Sequence, residues 1–357
     1  MLIPLIELVF LCFFAFCSLF VIRKIAKAVG LVDIPTGRKQ HTDNVPLAGG
    51  IATSITLLYF VFNNPSVLQS PILYASCVIV LVIVGALDDK FNISYKIRLF
   101  VQALLSIAIM WVGNLELTNV GNLLGTGEIN LGAAGYAVTV LAVIAAINAF
   151  NMVDGIDGLL GGLSIVTFGG LALLLLHDGQ AHMAYFCFAM VAILVPYVVL
   201  NMGLLGRQRK VFMGDAGSML IGFTVVWVLL FSSQNGKAPP LRPVTALWLI
   251  AVPLMDMVAI MIRRIRRSES PFKPDRDHLH HIFQRVGLTS KQTLLAICSI
   301  SALYAGIGIY SDIVRVPEYI MLIAFLACFG LYFLLVTHIW RVTSIIRAIF
   351  TQITRKS

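Results

Sequence analysis

The amino-acid sequence predicts an all-α membrane protein, a polytopic bundle of about eleven transmembrane helices. Three observations carry that expectation. Of 357 residues, 59% are hydrophobic and only 12% are charged, whereas a soluble domain carries about 25% charged residues. Mean hydropathy is +0.92, so there is too little polar side chain to cover a water-exposed surface. The apolar residues also come in runs of about 20, the length that crosses a hydrocarbon core.

Those runs cover residues 3–22, 46–62, 71–87, 97–113, 132–148, 158–176, 183–201, 216–232, 243–262, 293–310 and 318–337. Their connections are short, and no insert of domain size interrupts them. Residues 1–338 therefore read as one integral membrane domain, and 339–357 as a tail. In the tail, Trp340, Ile345, Ile346, Ile349 and Phe350 mix with Arg341 and Arg347. That composition suits an amphipathic helix resting on anionic headgroups. Pro253 and the many glycines predict kinks and close packing. The first run has no basic stretch before it and no small-residue cleavage site, so it is expected to remain as an anchor.

Basic residues set the orientation. Of the 26 Lys and Arg residues, 23 fall on alternate connections, counted from the one after the first run. Only Lys237, Arg242 and Arg315 lie on the other side. The positive-inside rule then predicts a periplasmic N-terminus and a cytoplasmic C-terminus. The same distribution explains the net charge of +9 without a nucleic-acid partner. Cys12, Cys17, Cys77, Cys187, Cys298 and Cys328 all fall in apolar runs with no CxxC pair, and read as small core residues.

Four polar segments collect on the predicted cytoplasmic side. The first ends in Asp88-Asp89-Lys90, where two adjacent carboxylates need a cation or proton to offset their repulsion. A solvated pair at a helix end is the plainer alternative. The second runs from Asn148 to Gly158, with Asn151, Asp154 and Asp157, two glycines and no basic residue. Its glycines permit close backbone approach to a ligand, although an Asp-Gly turn alone would look the same. The third, Arg207 to Ser218, combines Arg207, Arg209 and Lys210 with Phe212 and Asp215. Basic groups suit phosphate and an aromatic suits a base; taken alone, the segment reads better as headgroup contacts beside a core phenylalanine.

The fourth runs from Arg263 to His281 and carries Arg264, Arg276, His278, His280 and His281. No cysteine accompanies these histidines, so contact with an anion is favoured over zinc. Asp256, about two helical turns before Arg263, reads as a satisfied carboxylate inside its span. Carboxylate oxygens beside basic groups are what Mg²⁺ with a diphosphate requires. The absence of GxxxxGK[ST] argues against an ATP-driven pump. A secondary transporter would place its ion sites at mid-membrane within inverted repeats, whereas these carboxylates sit at the ends of spans.

Taken in order, these motifs resemble the polyprenyl-phosphate N-acetylhexosamine-1-phosphate transferases. The resemblance runs from Val32-Asp33-Ile34-Pro35 and Arg38-Lys39-Gln40-His41 through Asp88-Asp89, Asn148 to Gly158 and Val211 to Ser218, to His278-Leu279-His280-His281. It implies transfer of N-acetylglucosamine-1-phosphate from UDP-N-acetylglucosamine to undecaprenyl phosphate, with release of UMP. It also implies a multi-pass enzyme of the bacterial inner membrane, with a cytoplasmic active site that opens a surface-glycan pathway of the O-antigen or lipopolysaccharide type.

By the same resemblance, Asp88 and Asp89 would deprotonate the acceptor or assist the metal, and Asp154 and Asp157 would form a second acidic pair, Asp157 near the nucleotide. Asp215 and Asn151 would hold Mg²⁺, or Mn²⁺ in its place. Phe212 would stack on uracil and Lys96 would lie near the diphosphate. Arg264, Arg276, His278, His280 and His281 would face sugar and diphosphate. A homodimer is a further expectation. The long connection from Asn201 to Asp215 favours this donor over UDP-muramyl-pentapeptide, with UDP-N-acetylgalactosamine as another alternative.

Overall fold

A computed structural model describes residues 4–33, 44–234, 239–271 and 278–338. The predicted tail, the segment from Ile34 to Asp43 and Arg276 lie outside the described residues. Helices dominate. The first half of the chain forms α1 (Leu5–Ala28), α2 (Gly49–Asn63), α3 (Pro71–Phe91), α4 (Tyr95–Gly113), α5 (Ala134–Met152), α6 (Leu159–His177) and α7 (Ala181–Asn201). The second half forms α8 (Gly214–Ser233), α9 (Pro243–Leu249), α10 (Ala251–Arg266), α11 (Leu279–Val286), α12 (Ser290–Ile313) and α13 (Glu318–Thr337). The one sheet among the described residues is a two-residue antiparallel ribbon, β1 (Val32–Asp33) and β2 (Val45–Pro46).

Every predicted apolar run contains a helix, and nine of these helices are long and apolar enough to span a membrane alone. The other two runs differ instructively. The run at 46–62 gives the 15-residue α2, because residues 45–46 are taken by the ribbon. The run at 243–262 is broken into α9 and α10, bent by 83°. Pro253 is the physical cause. It lacks the N–H that would bond to Leu249, and its ring opposes that carbonyl. The freed Leu249 oxygen instead accepts a hydrogen bond from Thr167 Oγ1 on α6, at 3.2 Å.

Helix α8 is apolar all round and almost wholly buried, as expected of a central helix. It packs on α3 and α5, while α6 packs on α7 and α12. One continuous apolar core links α1 to α12. The six cysteines are free, with Cys77 and Cys187 buried and the others half-buried.

The end of the bundle opposite the carboxylates is fixed by Arg242. Its Nε meets Asp312 Oδ1 at 2.9 Å, and its terminal nitrogens donate to the Val316 and Ser311 carbonyls at 2.6 and 2.8 Å. Thr245 Oγ1 donates to Asp312 Oδ2 at 2.7 Å. Removing one partner of a buried pair leaves an uncompensated charge, at a cost of about 3–5 kcal/mol. Arg242→Ala is therefore expected to lower the thermal unfolding midpoint in detergent by several degrees; an unchanged midpoint would show that Asp312 finds another partner.

Candidate active site

The polar segments meet at one end of the bundle, where α3, α5 and α7 finish and α4, α6 and α8 begin. Asp89 reaches from α3 to the start of α8. Its Oδ1 accepts the Asp215 backbone N–H at 2.8 Å, and its Oδ2 accepts that of Ala216 at 3.3 Å. These are donors that a helix start otherwise leaves unpaired, and a carboxylate there also suits the helix dipole. Gly214 makes this possible: it has φ +73°, and a Cβ would stand 2.4 Å from Asp89 Oδ2. Asp89 thus anchors a helix with both oxygens.

Asp88 is buried and pairs with Arg98 of α4 at 2.7 Å. The same guanidinium reaches Asp215 at 3.4 Å, which sets the Asp88 and Asp215 carboxyl groups beside one another. One arginine therefore stands against two facing carboxylates. Asn151, at the end of α5, donates to Asp215 Oδ1 at 2.6 Å and to Ser218 Oγ at 2.8 Å. Asn148, one turn earlier, donates to Gln102 Oε1 of α4 at 2.8 Å.

The loop from Val153 to Gly158 closes the cluster. Asp154 retains exposed surface, yet protein crowds it closely. Desolvation, then the charges of Asp215 and Asp157, push its carboxyl up to about 7. Asp157 pairs with Lys210 at 2.6 Å. The Lys210 ammonium also lies 4.9 Å from the centre of the Phe212 ring, close enough for a cation–π contact. Lys210 is thus engaged by the acidic loop rather than by headgroups. The Phe212 backbone is held on both sides, its N–H donating to Pro46 O and its carbonyl accepting from Gly49, each at 2.9 Å. Asn201 joins these parts, accepting from the Gly158 N–H and donating to Val211 O.

The histidines approach on the first turn of α11, and Asp256 meets them from α10. Asp256 is buried and accepts three hydrogen bonds: from His278 Nδ1 at 2.8 Å, from the Leu279 N–H at 3.0 Å and from Tyr332 Oη at 2.6 Å. It is a satisfied carboxylate, as its sequence suggested. His280 is buried beneath the acidic loop, where a Cβ on Gly155 would meet its Nε2 at 2.2 Å. Burial, followed by His281 and His278, pushes the His280 imidazole down to about 3, so it is neutral at pH 7. The His278 and His280 rings stack at 5.6 Å, and His281 lies 4.2 Å from His280. Arg264 is buried and donates to the Pro271 carbonyl.

The structure thus gathers Asp88, Asp89, Asn151, Asp154, Asp157, Phe212 and Asp215 around one site. Lys96 is exposed on the first turn of α4, and its ammonium forms no ion pair among the described residues. Of the two bases whose partners are now visible, Arg98 was read from sequence only as a charge that sets orientation, and Lys210 was weighed for phosphate but read as a headgroup contact. The usable signal was their position: Arg98 follows Asp88 and Asp89 across one short connection, and Lys210 lies five residues before Asp215. Among the described residues, no three His, Cys, Asp or Glu side chains form a ready metal cage. Mg²⁺ commonly needs only one or two protein carboxylates and fills its shell with substrate phosphate and water. Asp215 fits that role. Asn151 fits it too if its amide, whose two ends are assigned from the hydrogen bonds, turns its oxygen towards Asp215.

Apolar helices thus bring carboxylates, one arginine and one lysine together at a common end, a set of groups suited to a diphosphate and its cation, as a phosphoglycosyl transferase requires. Comparison with known proteins agrees. Residues 71–233 match the model of glycosyl transferase family 4. Three relatives are each called undecaprenyl-phosphate alpha-N-acetylglucosaminyl 1-phosphate transferase. That of Yersinia pestis is 51% identical over 353 residues, 98% of this chain and 96% of the relative. That of Escherichia coli K12 is 49% identical over 350 residues, 98% and 95% of the two chains. That of Haemophilus influenzae is 48% identical over 334 residues, 93% and 94%. The chain belongs to glycosyl transferase family 4.

Proposed function

We propose that this protein transfers N-acetylglucosamine-1-phosphate from UDP-N-acetylglucosamine to undecaprenyl phosphate, releasing UMP. The observation that carries the reading is the meeting of Asp88 and Asp215 around Arg98 at one end of the bundle, with Asp154 near enough to feel the charge of Asp215. A phosphate oxygen of the acceptor attacks the sugar-bearing phosphorus. A new P–O bond forms, the bond to the UMP oxygen breaks, and UMP leaves. Asp88 takes the acceptor proton when one is present, and Arg98 offsets the charge gathered by two anionic substrates. Lys210 and Phe212 receive the nucleotide, and His278 and Arg264 meet the diphosphate. Asp215 and Asn151 would hold Mg²⁺, or Mn²⁺, which neutralises the diphosphate and polarises the reacting phosphorus when bound.

The site works on the cytoplasmic face of the inner membrane, where a soluble nucleotide sugar meets a lipid acceptor, a reading that the basic loops support. Residues 1–338 act as one catalytic domain, the protein works as a homodimer, and its product enters a surface glycan of the O-antigen type. The test is UMP release from a panel of UDP-sugars, with undecaprenyl phosphate and a divalent cation. Release with UDP-N-acetylglucosamine above the other donors is expected; absence of release from every donor would overturn the reading.

The acidic loop gives a pH test. Between the ordinary value of 3.8 and about 7, native Asp154 holds a proton that the unfolded chain does not. Its contribution to stability therefore declines as pH rises through that window and is level above it. Asp154→Asn is expected to flatten this part of the unfolding profile in detergent without divalent cation. The same slope in both proteins would assign the proton elsewhere.

A further inference from the structure

We infer that Asp256 is a positioning residue: it fixes the His278 ring so that Nε2 is the nitrogen presented to the donor diphosphate. The inference rests on the transferase reading above and deepens it. Asp256 lies on α10, the inner half of the broken span, and the Pro253 break sets the direction of that helix away from α9. Its Oδ2 takes His278 Nδ1 at 2.8 Å, which engages one ring nitrogen and leaves the other for a ligand.

The carboxylate is itself held. Oδ1 accepts the Leu279 N–H at 3.0 Å, at the first residue of α11, and Tyr332 Oη at 2.6 Å from α13. Asp256 therefore has little freedom to turn, and neither does the imidazole bonded to it. The far side of His278 is backed by the parallel ring of His280, which in turn lies against Gly155 of the acidic loop. A line of contacts thus runs from the last membrane helix through Tyr332, Asp256, His278 and His280 to the loop that carries Asp154 and Asp157. A carboxylate bonded to one ring nitrogen selects the tautomer and orients the other nitrogen, as in other histidine sites of known role. Asp256 does this without touching substrate.

A double-mutant cycle on the full-length protein in proteoliposomes tests the inference, with UMP release as the measurement. Asp256→Asn is expected to lower kcat about tenfold, as for coupled residues in contact, with KM for the acceptor unchanged. In a His278→Asn background the same substitution is expected to cost less than about twofold, because the ring it positions is gone. Equal losses in both backgrounds would mean a merely structural carboxylate and would overturn the inference. Should Asp256→Asn not fold, Tyr332→Phe takes its place under the same criterion, with an expected loss of about threefold. A second measurement does not need turnover: carbethoxylation of His278 by diethylpyrocarbonate, followed by peptide mass spectrometry. The ring is expected to react faster once Asp256 is replaced, and an unchanged rate would overturn the inference. Failure of the wild-type protein to release UMP with any UDP-sugar would instead count against the transferase reading, with this second measurement still deciding the role of Asp256.

Discussion

Asp215→Asn is expected to reduce UMP release by about 10²–10³-fold while leaving the protein folded. The two halves of that expectation have separate causes. The bonds from Asp89 go to the backbone N–H groups of Asp215 and Ala216, so an asparagine side chain leaves the start of α8 capped. Asn151 and Arg98, by contrast, approach the Asp215 carboxylate itself. An amide there keeps the volume, loses the charge, and sets a donor against a donor on one side. It also loses the charge that a divalent cation would need. Turnover measured against cation concentration, alongside thermal unfolding, separates the effects. Near-normal turnover in a folded variant would remove Asp215 from the metal role.

The second large effect is expected at Arg98. Its guanidinium bridges Asp88 and Asp215, at 2.7 and 3.4 Å. Arg98→Ala leaves two neighbouring carboxylates without that charge, so they must share a proton or recruit a cation. Turnover is expected to fall by about 10²-fold at saturating substrate. Arg98→Lys should recover only part of the loss, because a point charge does not reproduce the planar fork that spans two carboxylates. Full activity in Arg98→Lys would mean that charge alone suffices; full activity in Arg98→Ala would remove Arg98 from the site.

The relation between sequence and structure differs from one residue to the next. Asp88, Asp89, Asp154, Asp157 and Asp215 were legible as a set, because carboxylates at the ends of apolar runs are costly and stand out. Their division of labour was not. Asp89 and Asp88 are neighbours in sequence, yet one caps α8 with both oxygens and the other faces Asp215. Only the position of α8 distinguishes them. Lys210 looked like a headgroup contact, since nothing in its own segment signals that Asp157 is 2.6 Å away.

By itself the sequence determined that the chain folds in lipid, where its spans begin and end within a few residues, and which polar groups share one end of them. Composition and run length suffice for that, because the bilayer imposes one length and one polarity on every span. Tertiary structure alone decided the bridging role of Arg98 and the hold of Asp256 on His278. Each depends on groups from different helices meeting within about 3 Å. Such distances follow from how the helices pack, and no local pattern of residues encodes them.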